Sequence, residues 1–148
     1  MSKFIKYFSL EERKQHTKVI IEKTTNFLYN FTNNNTLSGF ILVLIHWILI
    51  SLLLIYLIIG EINTLYYICC LLWLIIFSLH YYFKGCILTR IERSLWKADD
   101  WWGPWIILFA PIEKTGVEIT SQLAENIFIC VAIILMTISF LRILYQMK

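Results

Sequence analysis

Residues 39–60 and 64–83 carry no formally charged side chain, and a third stretch, 127–143, carries only Arg142. About 20 predominantly apolar residues make a helix long enough to cross a hydrocarbon core of about 30 Å. The pattern predicts three transmembrane helices: 39–60, 64–83, and a helix over 117–148 that contains the third span. Glu61-Ile62-Asn63 leaves room only for a tight turn, so the first two spans should form an antiparallel hairpin. Ahead of them, Ser9-x-x-Glu12 has the form of a capping box, with Ser at the N-cap and Glu three residues on, and predicts a helix from about 10 to 30. Val19, Ile20, Phe27, Leu28 and Phe31 give that helix an apolar side, while Lys14, Lys18 and Glu22 share a polar one. This is the pattern of an amphipathic helix lying on a membrane surface or on a partner. The "NNNTLSG" linker breaks it and closes a first unit, residues 1–38.

Residues 84–116 form a long polar and aromatic interruption between the second and third spans. Thr89-x-x-Glu92 reads as a second capping box and predicts a short helix over 90–98, with Leu88, Ile91 and Leu95 as its apolar stripe. Asp99-Asp100 and Gly103-Pro104 should end it. Residues 105–111 are apolar but too short to span, which suits an interfacial or re-entrant segment. Thr115-x-x-Glu118 reads as a third capping box, opening the last helix near 117 with Glu118, Ser121, Gln122 and Glu125 on one face. Arg142 should snorkel to the interface. The predicted fold class is an all-α integral membrane protein: three transmembrane helices, an N-terminal amphipathic helix and a Trp-rich interfacial loop with its short helix.

Composition agrees with lipid as the solvent. Hydrophobic residues make up 59% and charged residues 16%, against about 45–50% and about 25% in soluble domains. The formal charge of +3 is small, and no nucleic-acid partner is expected. Orientation follows the placement of Lys and Arg. Lys3, Lys6, Arg13, Lys14, Lys18 and Lys23 precede the first span, Lys84, Arg90, Arg93, Lys97 and Lys114 lie in the 84–116 loop, and the 61–63 turn has none. The N-terminus and the long loop should therefore face the cytoplasm or its equivalent, with the C-terminus opposite. No cleavable signal peptide is read in residues 1–38. The Asn30-Phe-Thr32 and Asn34-Asn-Thr36 sequons fall on the side the charge bias assigns to the cytoplasm, and are read as accidental.

Candidate chemistry concentrates on a few side chains. His46 and His80 lie in the two arms of the hairpin. Counting back from the turn, His80 falls three residues from the level of His46, about 4.5 Å along the axis at 1.5 Å per residue. Two facing imidazoles suit a b-type haem or a proton or quinone site. Cys86 sits near a predicted helix start, where free N–H groups favour a thiolate, and a Cys–His nucleophile with His80 is the alternative chemistry. Cys69, Cys70 and Cys130 lie within apolar runs as small hydrophobes, so no disulfide framework is read. No standard metal-ligand spacing is present. Trp96, Trp101, Trp102 and Trp105, with Arg90, Arg93 and Lys97, are expected to anchor the loop at the headgroups.

The run His80-Tyr-Tyr-Phe-Lys-Gly85-Cys86-Ile-Leu-Thr89-Arg-Ile-Glu92 resembles the Cys-x-Leu-Thr-x-x-Glu box that follows a membrane helix in small multi-span proteins of large DNA viruses. It is also similar to the Cys-Pro-Leu-Thr-x-x-Glu box of a group of short bacterial membrane proteins, with Ile87 here in place of Pro. The likeness covers residues 70–145. It implies a three- or four-helix membrane protein in which Cys86, Thr89 and Glu92 form a shared feature, and it implies no reaction. The expectation is a non-enzymatic structural or assembly subunit, partnered by lipid and other membrane subunits, in a larger membrane complex or a viral membrane. The alternatives are a redox or proton-handling anchor using His46 and His80, and a thiol enzyme centred on Cys86. The Ile-, Asn- and Lys-rich composition points toward an AT-rich genome, hence a mitochondrial inner membrane or a viral or host membrane.

Overall fold

A computed structural model describes residues 9–146; the basic and aromatic residues 1–8 lie outside it. The described residues are helical, with no strand among them: α1 Leu10–Thr32, α2 Asn35–Ile59, α3 Thr64–Phe83, α4 Ile87–Trp96, a 3₁₀ turn Gly103–Trp105, α5 Ile106–Glu113 and α6 Ser121–Gln146. The helices α2, α3 and α6 are each long and apolar enough to cross a membrane. Only 17%, 11% and 22% of their most apolar stretches are buried inside the protein. Leu52, Leu71 and Phe140, among many others, point outward. Such a surface requires an apolar solvent or cover.

The Ser9 cap holds as expected, its hydroxyl accepting from the Glu12 N–H at 3.3 Å. The linker does not. The break is only Asn33-Asn34, because Asn33 takes the left-handed conformation that ends α1 and the Asn34 side chain accepts from the Thr36 and Leu37 N–H groups to start α2. Buried Ser38 then donates to the Leu28 carbonyl at 3.0 Å and meets the Thr32 hydroxyl at 2.6 Å, locking the elbow. On α1, Ile21 and Leu28 pack inward, while Val19, Ile20, Phe27 and Phe31 remain exposed.

The hairpin forms with its expected turn. Asn63 caps α3 by accepting from the Tyr66 N–H at 3.2 Å. Arg142 reaches the turn end of the hairpin. Its guanidinium donates to the carbonyls of Leu57 at 2.8 Å and Gly60 at 2.5 Å, and lies 5.0 Å over the Tyr66 ring. A cation at the carbonyl end of α2 answers both the unpaired acceptors and the negative end of the helix dipole. From this joint toward the other end of the helices, Leu57, Trp73, Leu135, Ala132 and Phe128 form the main apolar core with Trp105 and Phe109.

Two capping boxes are corrected. The α4 helix starts at Ile87, three residues earlier than predicted, with Cys86 at its N-cap. Thr89 and Glu92 are therefore inside the helix and buried, not at its start. The reason is that Lys84 turns left-handed directly after α3, and the Glu92 carboxylate is drawn to α2 rather than to its own helix end. Likewise α6 begins at Ser121, not 117, because Thr120 supplies the cap to the Leu123 N–H. Thr115 instead bonds back to the Ile112 carbonyl at 2.7 Å and closes α5. Residues 105–111 fall in the 3₁₀ turn and α5, whose Phe109 is buried.

Replacing Arg142 with Leu should lower the thermal unfolding midpoint in detergent, with a loss of about 2 kcal/mol for the charge-assisted bonds to α2. Because the joint lies at the opposite end of α2 and α3 from Cys86, the reactivity of that thiol should not change; an unaltered midpoint would show that the joint is not a fastening.

Candidate functional site

The helix α4 lies against the N-terminal half of α2, and its inner face carries one residue per turn with chemistry: Cys86, Thr89 and Glu92, at i, i+3 and i+6. The spacing puts all three on the α2 side. Ile91 and Leu95 are buried beside them with Leu42 of α2. Trp96 closes the contact from the other end. A Cβ on Gly39 would come within 2.1 Å of the Trp96 indole nitrogen, so only glycine allows this approach. That indole donates to the Thr36 carbonyl at 3.2 Å.

His46, 2% exposed, faces this row from α2. Its Nδ1 lies 2.7 Å from Glu92 Oε1, and its Nε2 lies 3.5 Å from Cys86 Sγ. The second carboxylate oxygen of Glu92 accepts from the Trp101 indole N–H at 2.6 Å. A carboxylate only accepts, which puts the imidazole proton on Nδ1 and leaves Nε2 toward the sulfur. The result is a continuous chain of thiol, imidazole, carboxylate and indole. Glu92 is fully buried and both its oxygens are occupied.

Cys86 is partly exposed. Burial pushes its thiol up, but the His46 imidazole favours the thiolate more, and the net pKa lies below the ordinary value. Arg90, one turn along α4, adds a cation near the sulfur. The Thr89 hydroxyl is buried and has no hydrogen-bond partner of its own among the described residues. Gly103 covers it: φ is 61° there, and a Cβ would stand 2.6 Å from Thr89 Oγ1 and 3.1 Å from Glu92 Oε2. Glycine is thus required at Gly103 by both backbone conformation and close approach.

A cavity of about 90 Å³ adjoins the thiol. Cys86 and Thr89 form part of its wall; Trp102, Trp105, Phe109 and Phe128 make an apolar side; Lys84, Arg90 and Arg93 bring positive charge against the carboxylate of Glu125. His80 lines the same cavity, stacked on Phe128 with ring centroids 3.5 Å apart. The two histidines therefore have different surroundings. His46 belongs to Cys86 and Glu92, whereas His80 packs on an aromatic ring. Both nitrogens of His46 are engaged, Nδ1 by Glu92 and Nε2 by Cys86. Among the described residues no group of three or more His, Cys, Asp or Glu side chains is placed to hold a metal ion.

Of the tryptophans expected at the headgroups, Trp105 is buried and Trp96, Trp101 and Trp102 are half-buried, and each has a protein contact. Trp101 bonds Glu92, Trp96 lies on Gly39, Trp105 is buried edge-on to Phe128, and Trp102 meets Phe109 with the Arg93 guanidinium 4.4 Å from its ring centre. Arg93 also donates to the Trp101 carbonyl. Of the basic residues grouped with them, Arg90 donates to the Lys84 carbonyl at 2.8 Å, and Lys97 is the left-handed cap that ends α4. Sequence reasoning missed His46 as the partner of Cys86, pairing the thiol with His80 instead. It also missed Gly39, Gly103 and the Trp101–Glu92 bond. One signal for Glu92 was legible: it falls within the stripe formed by Leu88, Ile91 and Leu95, where a carboxylate must find partners inside.

Glu92→Ala strands the His46 and Trp101 N–H groups in the interior. It should destabilise the protein by about 3–5 kcal/mol, the usual result of breaking a buried pair. Glu92→Gln, which keeps the shape and one acceptor, should cost less. Thermal unfolding followed by tryptophan emission measures both, and equal losses would contradict the bonding described.

No known protein family, curated protein or solved structure matches this chain.

Proposed function

We propose that this chain is an integral membrane enzyme that performs acyl transfer through a thiol, with Cys86 as nucleophile, His46 as base and Glu92 as the positioning residue for His46. The observation that carries this reading is the ordered contact Cys86 Sγ–His46 Nε2 and His46 Nδ1–Glu92 Oε1, at 3.5 and 2.7 Å. A nucleophile, a base in reach of it and a third group orienting the base form the general arrangement of covalent catalysis. This reading is preferred to a non-enzymatic assembly subunit because a purely structural role does not call for a thiolate-favouring cysteine beside a cavity. It is preferred to a redox anchor because His46 is already engaged at both nitrogens.

The chemistry follows from the positions. Cys86 Sγ attacks the carbonyl carbon of an ester or thioester, and its proton passes to His46 Nε2. The negative oxygen that develops faces the first turn of α4, where the Thr89 hydroxyl is unpartnered and N–H groups remain without intrahelical acceptors. Collapse breaks the bond to the leaving alcohol or thiol, which takes the proton from His46. Water, or an acceptor hydroxyl, thiol or amine, then attacks the acyl-sulfur carbon with His46 as base. The acyl–sulfur bond breaks and the thiol is restored. Glu92 holds the imidazole in the required tautomer throughout.

Membrane insertion is part of the proposal, supported by the three apolar helices and their outward-facing aliphatic residues. The basic residues of α1 and of the segment around α4 support a cytoplasmic or equivalent location for the end that bears Cys86. The protein should stay with the membrane pellet through alkaline carbonate washing.

Alkylation of Cys86 by iodoacetamide, mapped by peptide mass spectrometry, tests the thiol chemistry. With its pKa lowered, the thiolate is present above a midpoint lower than the ordinary thiol value of about 8.5, and reaction should be appreciable at neutral pH. The charged and titratable groups acting on the sulfur are His46 from α2 and Arg90 from α4. His46→Ala should move the midpoint upward and slow alkylation about tenfold or more. A midpoint at or above that of a free cysteine, unchanged in His46→Ala, removes the enzymatic reading and returns the chain to a structural role.

A further inference from the structure

The acyl-transfer reading leaves the substrate open, and this inference rests on that reading. Three features of the surroundings of Cys86 bear on it. The first is size. A cavity of about 90 Å³ is smaller than the roughly 150 Å³ that admits a benzene ring, enough for a reacting carbonyl and a few atoms around it and too little for a long chain. The second is charge. Lys84, Arg90 and Arg93 reach the cavity, and the Nη2 nitrogen of Arg93 is buried without an acceptor among the described residues. Burial also lowers the pKa of Arg90 and Arg93, the mark of guanidinium groups short of solvent that an anion would compensate. The third is proximity. The cavity is walled by His80 of α3 and by Phe128 of α6, and an apolar groove of about 410 Å³ lies farther along the same two helices. Leu74 and Phe77 precede His80 on α3; Ala132, Met136 and Phe140 follow Phe128 at four-residue intervals along α6. Phe77 of the groove stacks on Phe128 of the cavity, so one ring pair separates the two spaces. From Ala132 to Phe140 the groove follows about 12 Å of helix.

We infer that the substrate is an amphiphile: a long-chain acyl ester or thioester that bears a phosphate. The acyl chain lies in the groove between α3 and α6, the carbonyl enters the cavity at Cys86, and the phosphate meets Arg93, Arg90 and Lys84. Glu125 in the same wall limits how much negative charge the cavity takes and sets the phosphate on the Lys84 and Arg93 side. The chemistry balances as in the acyl transfer above: the acyl–oxygen or acyl–sulfur bond breaks, the acyl–Cys86 bond forms, and the phosphate-bearing part departs with the proton from His46.

The experiment uses the full chain in neutral detergent and follows acylation of Cys86 by mass spectrometry, with Cys86→Ser as blank. Four probes are compared: palmitoyl-coenzyme A, acetyl-coenzyme A, a palmitoyl thioester of N-acetylcysteamine, and palmitoyl phosphatidylglycerol. One of the two probes that combine chain and phosphate should acylate Cys86 about tenfold faster than either the short-chain probe or the phosphate-free one, the scale of one charge-assisted contact. Faster reaction with phosphatidylglycerol identifies a lipid source, and faster reaction with palmitoyl-coenzyme A a soluble thioester. Arg93→Gln, and independently Lys84→Asn, which keeps a residue suited to the left-handed backbone there, should shrink the advantage given by phosphate. Thr137→Phe, at an exposed position of the groove wall, should shrink the advantage given by chain length. If the phosphate-free or the short-chain probe reacts as fast as the others, the amphiphile is overturned and the thiol chemistry stands. If no probe acylates Cys86, the acyl-transfer reading itself falls.

Discussion

A carboxylate with no solvent exposure sits between α2 and α4, and the arrangement of this end of the molecule follows from satisfying it. An unpaired buried carboxylate costs several kcal/mol, so Glu92 constrains everything within reach. It takes the His46 N–H from α2 and the Trp101 N–H from the segment after α4. Those two bonds hold α4 on α2 and fold the following chain back over it. Gly103 is then obliged to lie on Thr89 and Glu92, and Trp102 and Trp105 are delivered to the wall of the cavity. Packing of Ile91, Leu95 and Trp96 supplies contact area for the same docking, but apolar contacts alone would tolerate a sliding register. The bond to His46 does not.

The same constraint produces the chemistry. Orienting an imidazole by a fixed carboxylate removes a choice of tautomer and a rotamer, and its other nitrogen is then committed to whatever lies opposite. Here that is Cys86, held at the start of α4 by the left-handed turn at Lys84. The proposed acyl transfer uses only groups already fixed by folding, which is how preorganisation reduces the work left at the reacting centre. His80, in contrast, is stacked on Phe128 and shapes the cavity.

The helices were legible because charge-free runs and helical periodicity are local properties. The α3 boundaries, the tight turn after α2 and the Ser9 cap could all be read from neighbours in sequence. The later capping boxes were misread for a physical reason: Thr-x-x-Glu is equally a cap or a pair on one helical face. Only the nearby left-handed turn and the distant His46 decide between these for Thr89 and Glu92. The partners of Arg142 were not legible because the carbonyls it meets belong to residues 57 and 60, more than eighty positions earlier. The pairing of His46 with Cys86, not His80, also depended on contact across 40 residues. Depth counting brought two histidines to one level, but it says nothing of the azimuth each takes around its helix.

Cys86 occupies the place at the head of α4 where Ser, Asn or Asp would ordinarily accept from the helix, and it makes no such bond. The helix is therefore left incomplete at its leading turn, at a cost of about 1 kcal/mol relative to a good cap. Whatever supplies an acceptor there finishes the helix as it binds. A carbonyl oxygen that accepted from the N–H groups there would complete the leading turn of α4, joining occupancy of the site to the order of that helix end.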